Sequence, residues 1–249
     1  MTAPPERPAP AAGALHGRRK GKRLRAGQED LLQTLLPRLR LPAAGPIDPA
    51  ALFPEAEAVA LEIGFGGGEH LAAMARAHPR HGFIGCEPFV NGLAKMLRVV
   101  DAEGLANVRL WDGDAAALLP RLAPSSLDRV VLLYPDPWPK RRQRKRRLVS
   151  DATLAALARV VKPGGAFRFA TDIDDYAGWT LARVLRSPAW RWTAERASDW
   201  RKPWPGWPGT RYEAKALREG RTPIYLTFRR AREPGAAGSG EAEEPRTRT

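Results

Sequence analysis

The segment Leu61-Glu62-Ile63-Gly64-Phe65-Gly66-Gly67-Gly68-Glu69 runs from apolar residues into glycine and ends at an acid. A short apolar run stopped by glycines predicts a buried strand and a tight turn into a helix. Glycine lets the backbone take positive φ and come close to a ligand. The dinucleotide fingerprint G-x-G-x-x-G needs glycine at its sixth position. Counting from Gly64, that position is Glu69. A pyrophosphate there would face both Glu62 and Glu69, so an anionic ligand is disfavoured. A strand–helix turn with no ligand is the plain alternative.

Strands and helices alternate outward from this segment. Val59–Phe65 reads as a strand, His70–His78 as a helix stopped by Pro79, and Phe83–Glu87 as the next strand. A helix over Val90–Glu103, a strand over Val108–Trp111 and a one-turn helix over Ala115–Leu119 follow. Leu127–Tyr134 is the most strand-like run, and Leu148–Val161 has helical spacing up to a turn at Lys162-Pro163-Gly164-Gly165. Ala166–Thr171 is a strand and Asp175–Arg186 a helix, while Trp190–Arg196 and Ile224–Arg230 suit antiparallel strands. Residues 28–40 predict a leucine-faced helix that Pro37 shortens. Such alternation implies right-handed βαβ units in an α/β fold with a parallel sheet covered on both faces. Ligands in these sheets sit beyond the carboxyl ends of the strands.

Composition narrows the function. The chain has 249 residues, 43% hydrophobic, with 41 Lys+Arg against 27 Asp+Glu and a net charge of +14. That length suits one domain, expected over 27–230, with tails at 1–26 and 231–249 too polar to fold alone. Residues 1–25 hold seven basic side chains and one acid, and residues 140–147 (KRRQRKRR) hold seven and none. Charge concentrated in this way points to a polyanion. The single cysteine, Cys86, excludes an internal disulfide framework, and the four histidines show no metal spacing, so no metal is expected. No apolar run is long enough to span a membrane, and no apolar stretch follows the basic cluster as a secretory signal requires. A cytoplasmic protein without a membrane association is the expectation.

Four acids stand at expected strand ends. Glu62 precedes the glycines, and Glu87 follows about 20 residues beyond them, where an acid can accept both hydroxyls of a ribose. Asp114 can cap the next helix or reach an adenine amino group. Asp136 lies in Tyr134-Pro135-Asp136-Pro137-Trp138-Pro139-Lys140, where three prolines in five residues stiffen the loop. Asp136 can bond a base edge and Trp138 can stack on one. The KRRQRKRR run begins in the same segment, with Arg141, Arg142, Arg144, Lys145, Arg146 and Arg147 as candidate phosphate contacts. Five of eight tryptophans fall in 190–207. Trp200, Trp204 and Trp207 among them either line a cleft or cover the sheet.

Glu62-x-Gly64-x-Gly66-x-Gly68 is similar to the glycine loop of S-adenosylmethionine-dependent methyltransferases, whose cationic ligand tolerates a nearby carboxylate. With GCEPF, GDAAALL, PDPWPKRR, FRFATD and TRYE, residues 17–230 resemble the bacterial tRNA (guanine-N7-)-methyltransferase family. The resemblance implies a Rossmann-like class I methyltransferase fold: a mostly parallel seven-stranded sheet with an antiparallel C-terminal strand and helices on both faces. It implies methyl transfer from S-adenosyl-L-methionine to N7 of a guanine in the tRNA variable loop. Glu62, Gly64, Gly66, Glu87, Asp114 and Asp136 would hold the methyl donor, and Asp136 would be catalytic. Lys140, Asp172, Thr210, Arg211, Tyr212 and Glu213 would contact tRNA. Pro139 departs from the family, in which many members have histidine after PDPW, so no histidine there serves as acid or base. The resemblance implies no obligatory protein partner, and a monomer or homodimer.

Three other readings compete. An NAD(P) oxidoreductase is disfavoured by Glu69. A non-catalytic RNA-binding protein on the same fold leaves the four acids unexplained. An exocyclic-amine methyltransferase would follow its Asp with two prolines and an aromatic, whereas Asp136 is followed by Pro-Trp-Pro.

Overall fold

The computed structural model describes residue 19 and residues 21–232. The tails expected at 1–26 and 231–249 therefore lie mostly outside the described residues. Three short helices, α1 (Ala26–Thr34), α2 (Leu36–Leu39) and α3 (Pro49–Leu52), lead in. Five strands alternate with helices: β1 (Ala58–Ile63), α4 (Glu69–Ala77), β2 (His81–Cys86), α5 (Val90–Glu103), β3 (Val108–Trp111), α6 (Ala115–Leu118), β4 (Leu127–Leu133), α7 (Asp151–Val160) and β5 (Val161–Thr171). The chain ends with α8 (Asp174–Val184), β6 (Trp190–Trp192), α9 (Ser198–Arg201), α10 (Arg211–Arg218) and β7 (Ile224–Arg230).

These strands form one sheet in the order β3-β2-β1-β4-β5-β7-β6. The first five are mutually parallel, and β7 runs antiparallel to both β5 and β6. The order reverses at β1, whose neighbours are β2 and β4, which opens a crevice above the carboxyl ends of these strands. Alternation along the strands sends Leu61, Val130, Leu132, Phe167, Phe169 and Phe228 into the larger core with Leu154, Leu157 and Tyr176. Each such buried side chain stabilises the fold by about 1.5–3 kcal/mol. The opposite face carries Phe65, Leu71, Phe83, Met96 and Leu97 over β1–β3. Val131, Leu133, Ala170, Trp204 and Tyr225 cluster over β4, β5 and β7.

Three local expectations are corrected. The helix over 28–40 is two helices, because Pro37 occupies the first turn of α2, where its missing N–H costs nothing. Lys162–Gly165 is an irregularity inside β5 and not a turn before it. Val161 already pairs with Leu127, the ladder resumes at Ala166 with Arg129, and Gly164 takes up the bend at φ 77°. The strand from Trp190 ends at Trp192, where α9 follows after a short connection.

Candidate active site

The glycine loop is tied to its neighbours by its backbone. The Gly64 N–H donates to the Cys86 carbonyl at 2.7 Å, continuing the β1–β2 pairing past the end of the strand. Gly66 adopts φ 59°, and its N–H donates to Glu87 Oε2 at 2.7 Å. The other oxygen, Oε1, accepts from the Phe89 N–H at 2.9 Å. Glu87 is thus held by both oxygens at the end of β2, with its remaining lone pairs directed by the backbone. Burial pushes its carboxyl above the ordinary value, and the two amide donors oppose that shift. Gly92, at the start of α5, completes the packing, since a Cβ there would stand 2.2 Å from the Gly66 carbonyl oxygen. Sequence reading missed Gly92, because the contact joins segments 26 residues apart and has no local signature.

A cleft of about 300 Å3 opens above these strand ends. Its walls include Gly64, Gly66, Glu87 and Asp114, the apolar Ile63, Pro88, Phe89 and Leu132, and Tyr134, Asp136 and Trp138 of the rigid loop. Asp114 caps α6 by accepting from the Ala116 N–H at 2.9 Å while also forming part of the cleft wall. Glu62 is placed differently: it is buried, and His70 Nδ1 donates to its Oε2 at 2.7 Å. The His70 ring lies 5.1 Å from Trp207, and Glu62, which is not part of the cleft wall, ties the end of β1 to the start of α4 through His70. Cys86 also lines the cleft, but burial raises its thiol far above the usual range and makes it a poor nucleophile.

The Pro-rich loop is strained and clamped. Tyr134 and Trp138 take φ 47° and 41°, which costs a non-glycine residue about 1–3 kcal/mol unless its surroundings enforce it. The Tyr134 N–H donates to the Ala170 carbonyl at 2.8 Å, and Arg147 Nε donates to the Pro137 carbonyl at 2.7 Å. Asp136, between them, is exposed at the cleft mouth. The Arg146 guanidinium stacks 4.9 Å from the Trp138 ring centre.

The basic run divides by role. Lys140, Arg141, Arg142, Lys145 and Arg146 are exposed. Arg144 is half-buried and donates to Asp175 at 2.7 Å. The expectation that Arg147 meets a phosphate is corrected by its burial: its guanidinium is enclosed by Tyr176 and Trp179 and is bonded to Asp175. No phosphate can reach it without dismantling that packing.

The late Thr210–Glu213 segment divides as well. Thr210 caps α10, accepting from the Glu213 N–H at 3.1 Å, and the Glu213 side chain returns to the Thr210 N–H at 3.3 Å. This is a capping box, and the T-x-x-E spacing was its unread signal. Glu213 also accepts from Trp207 Nε1 at 2.6 Å and from the Tyr225 hydroxyl. Arg211 and Tyr212 point the other way and wall the cleft, with Arg211 3.9 Å from Glu69. Asp172 accepts from Arg221 Nε at 2.5 Å. Trp204 is buried, and neither it, Trp200 nor Trp207 belongs to the cleft wall. Trp204 and Trp207 cover the sheet with Tyr225. Among the described residues no group of three His, Cys, Asp or Glu side chains could hold a metal ion, and no helix is long and apolar enough to cross a membrane.

Comparison with known proteins gives this cleft a context. Residues 56–226 match the family model described as "Putative methyltransferase". A tRNA (guanine-N(7)-)-methyltransferase of Nitrobacter winogradskyi is 57% identical over 223 residues, covering 88% of this chain and 87% of that protein. The protein of the same name from Azorhizobium caulinodans is 56% identical, covering 88% of this chain and 95% of its own. Among solved structures, the 16S rRNA methyltransferase KamB superposes with TM-score 0.52 at 17% identity, over 73% of this chain and 92% of its own. A 16S rRNA (adenine(1408)-N(1))-methyltransferase from Catenulisporales acidiphilia gives 0.51 at 18%, over 74% and 89%. At those identities the likeness is one of fold, which is that of class I methyltransferases. With the glycine loop, the Pro-Asp-Pro-Trp segment and identity above half over most of its length, the chain belongs to the bacterial tRNA (guanine-N(7)-)-methyltransferase family.

Proposed function

We propose that this enzyme transfers a methyl group from S-adenosyl-L-methionine to N7 of a guanine in the variable loop of tRNA. The observation that carries this reading is the meeting of Glu87, Asp114 and Asp136 around one cleft, with the Trp138–Arg146 stack at its mouth. The cleft fits a nucleoside donor by size and by its mixed lining, since ligand sites start at about 300 Å3 and are mostly apolar with a few fixed polar groups. When bound, S-adenosylmethionine supplies a methyl group made electrophilic by its sulfonium.

The protein's own residues do the rest. Glu87, fixed by two backbone donors, accepts the ribose hydroxyls. The open backbone at Gly64 and Gly66 admits the donor closely, and Asp114 borders the base. Glu62 ties the end of β1 to the start of α4 through His70. Asp136 takes the guanine by its N–H edge and offsets the positive charge that spreads into the purine as N7 is alkylated. N7 carries a lone pair and no proton, so no general base is required. Catalysis then comes from aligning the reactants, worth about 7–11 kcal/mol, and from a preorganised charge near the purine. Trp138 stacks on the base. Lys140, Arg141, Arg142, Lys145 and Arg146 meet phosphates, and Arg211, Tyr212 and Asp172 meet the tRNA. A tRNA substrate places this chemistry in the cytoplasm.

Incubation with labelled methyl donor and unmodified tRNA, followed by mapping of the labelled atom, tests the proposal. Label on guanine N7 in the variable loop is expected. Label on an exocyclic amine, or none, would overturn it.

A further inference from the structure

The register of the sheet sets several arginines side by side on the face away from the larger core. Arg129 of β4 pairs with Ala166 of β5, Ala166 with Arg229 of β7, and Arg229 with Arg191 of β6. Arg168 lies one step along β5 on the same face, beside Thr227 of β7. Its guanidinium sits 5.0 Å from the Trp204 ring centre, and its Nε is buried with no hydrogen-bond partner among the described residues. Burial, and then the charges of Arg129 and Arg229, bring Arg168 down to about 10, and burial and the Arg229 charge lower Arg129 as well. Asp128 acts on Arg129, and its oxygens already accept from Lys162 Nζ and the Val59 N–H. Arg229 donates to the Gly164 carbonyl and remains exposed. Small side chains, Ala166 and Ala60, occupy the same row between and beyond the arginines and leave the guanidiniums to form the surface.

The two partly desolvated guanidiniums and the exposed Arg229 repel, and Asp128, already shared with Lys162, offsets them only in part. An anion would offset the rest. We infer that Arg129, Arg168 and Arg229 form a phosphate-binding face for RNA, separate from the basic run at 140–147. Arg129 stands five residues behind Tyr134 along β4, about 17 Å from the cleft edge. RNA whose guanine enters the cleft can therefore lay its backbone across this face. The exposed basic run borders the cleft mouth at the Pro-rich loop, and the arginine face lies along the sheet behind it, beside Trp204. The inference rests on the tRNA reading of the cleft.

The test compares R129Q/R229Q and R129K/R229K with the unaltered enzyme, using unmodified tRNA transcript over a range of salt concentrations. Loss of two phosphate contacts should weaken binding about ten-fold and reduce the slope of log K against log salt by about 1.5. The lysine pair should keep most of both, because a point charge suffices for counterion release. KM for tRNA should rise with kcat at saturating tRNA unchanged, and the glutamine pair should melt no lower than the parent. Unchanged affinity and slope would overturn the inference. R229E alone, at an exposed position, gives the same readout if the double variant folds poorly. Should the parent enzyme neither bind nor methylate tRNA, the reading of the cleft fails. The face is then judged by a short duplex RNA, whose binding the glutamine pair must weaken if the inference is to stand.

Discussion

Arg147 Nε donates to the carbonyl of Pro137 at 2.7 Å, joining a fully enclosed guanidinium to the loop that presents Asp136. Its other nitrogens reach Asp175 at the start of α8, and its plane lies between Tyr176 and Trp179. A residue that sequence alone places among the phosphate contacts instead fixes the geometry of the loop that carries Asp136. Asp175 is correspondingly held below the usual carboxylate range by this hydrogen bond and charge.

Arg147→Lys should therefore lower Tm, at a cost of about 2 kcal/mol for hydrogen bonds to a charged group. It should also lower kcat, because the Pro137 carbonyl loses its anchor while the charge remains. Thermal melting and steady-state kinetics check both effects. A lower Tm with unaltered kcat would confine Arg147 to stability.

Asp136 is exposed at the cleft mouth, so its replacement should spare the fold. Asp136→Ala is expected to reduce kcat about 10²–10³-fold, the scale of losing one preorganised electrostatic group. tRNA affinity in a filter-binding assay should change far less. Equal losses in both would mean that the carboxylate serves binding and not the transition state.

Glu87 gives a pH signature. Burial raises its carboxyl above 4.5, its ordinary value. Between 4.5 and the raised value the native state holds a proton that the unfolded chain has released. Stability from this group is thus greatest at low pH and falls as pH rises through that window. Relative to Glu87→Gln, the parent enzyme should gain Tm as pH is lowered from 7 towards 4.5. Its affinity for S-adenosylmethionine should weaken over the same interval. A Tm difference independent of pH would show that Glu87 titrates normally.

The Thr210–Glu213 segment predicts a division of effects. Glu213→Ala leaves the buried Tyr225 hydroxyl and Trp207 indole without their acceptor, a loss of about 1–3 kcal/mol for each group. Its Tm should fall sharply. Tyr212→Ala, on an exposed side chain facing the cleft, should leave stability within about 0.5 kcal/mol of the parent and raise KM for tRNA. Melting curves and tRNA titrations separate the two, and a stable Glu213→Ala enzyme would refute the assignment.

Much of the fold was legible because its signals are local. Glycine after an apolar run, Pro79 just past the end of α4, and period-two and period-3.6 alternation all report on backbone conformation within a few residues. The Thr–x–x–Glu cap of α10 is a local signal too, but the same four residues resemble a substrate motif, which hides it. Glu62 shows the opposite limit. Its place before the glycines is a fact of sequence, whereas its hydrogen bond to His70 depends on where α4 turns back over the strand.

Side-chain chemistry at short range sets the alternation of strands and helices, the positions of the acids at strand ends, and the two concentrations of positive charge. Tertiary structure alone decided which cations are free to meet a phosphate. Arg146 and Arg147 are neighbours of one chemical type, yet one stacks on Trp138 at the cleft mouth and the other is sealed beneath it. Arg129, Arg168 and Arg229 lie far apart along the chain and become one surface only through strand register. Burial and electrostatic coupling depend on distances in space, and a chain folded into a crossed-over sheet brings together residues that no spacing rule connects.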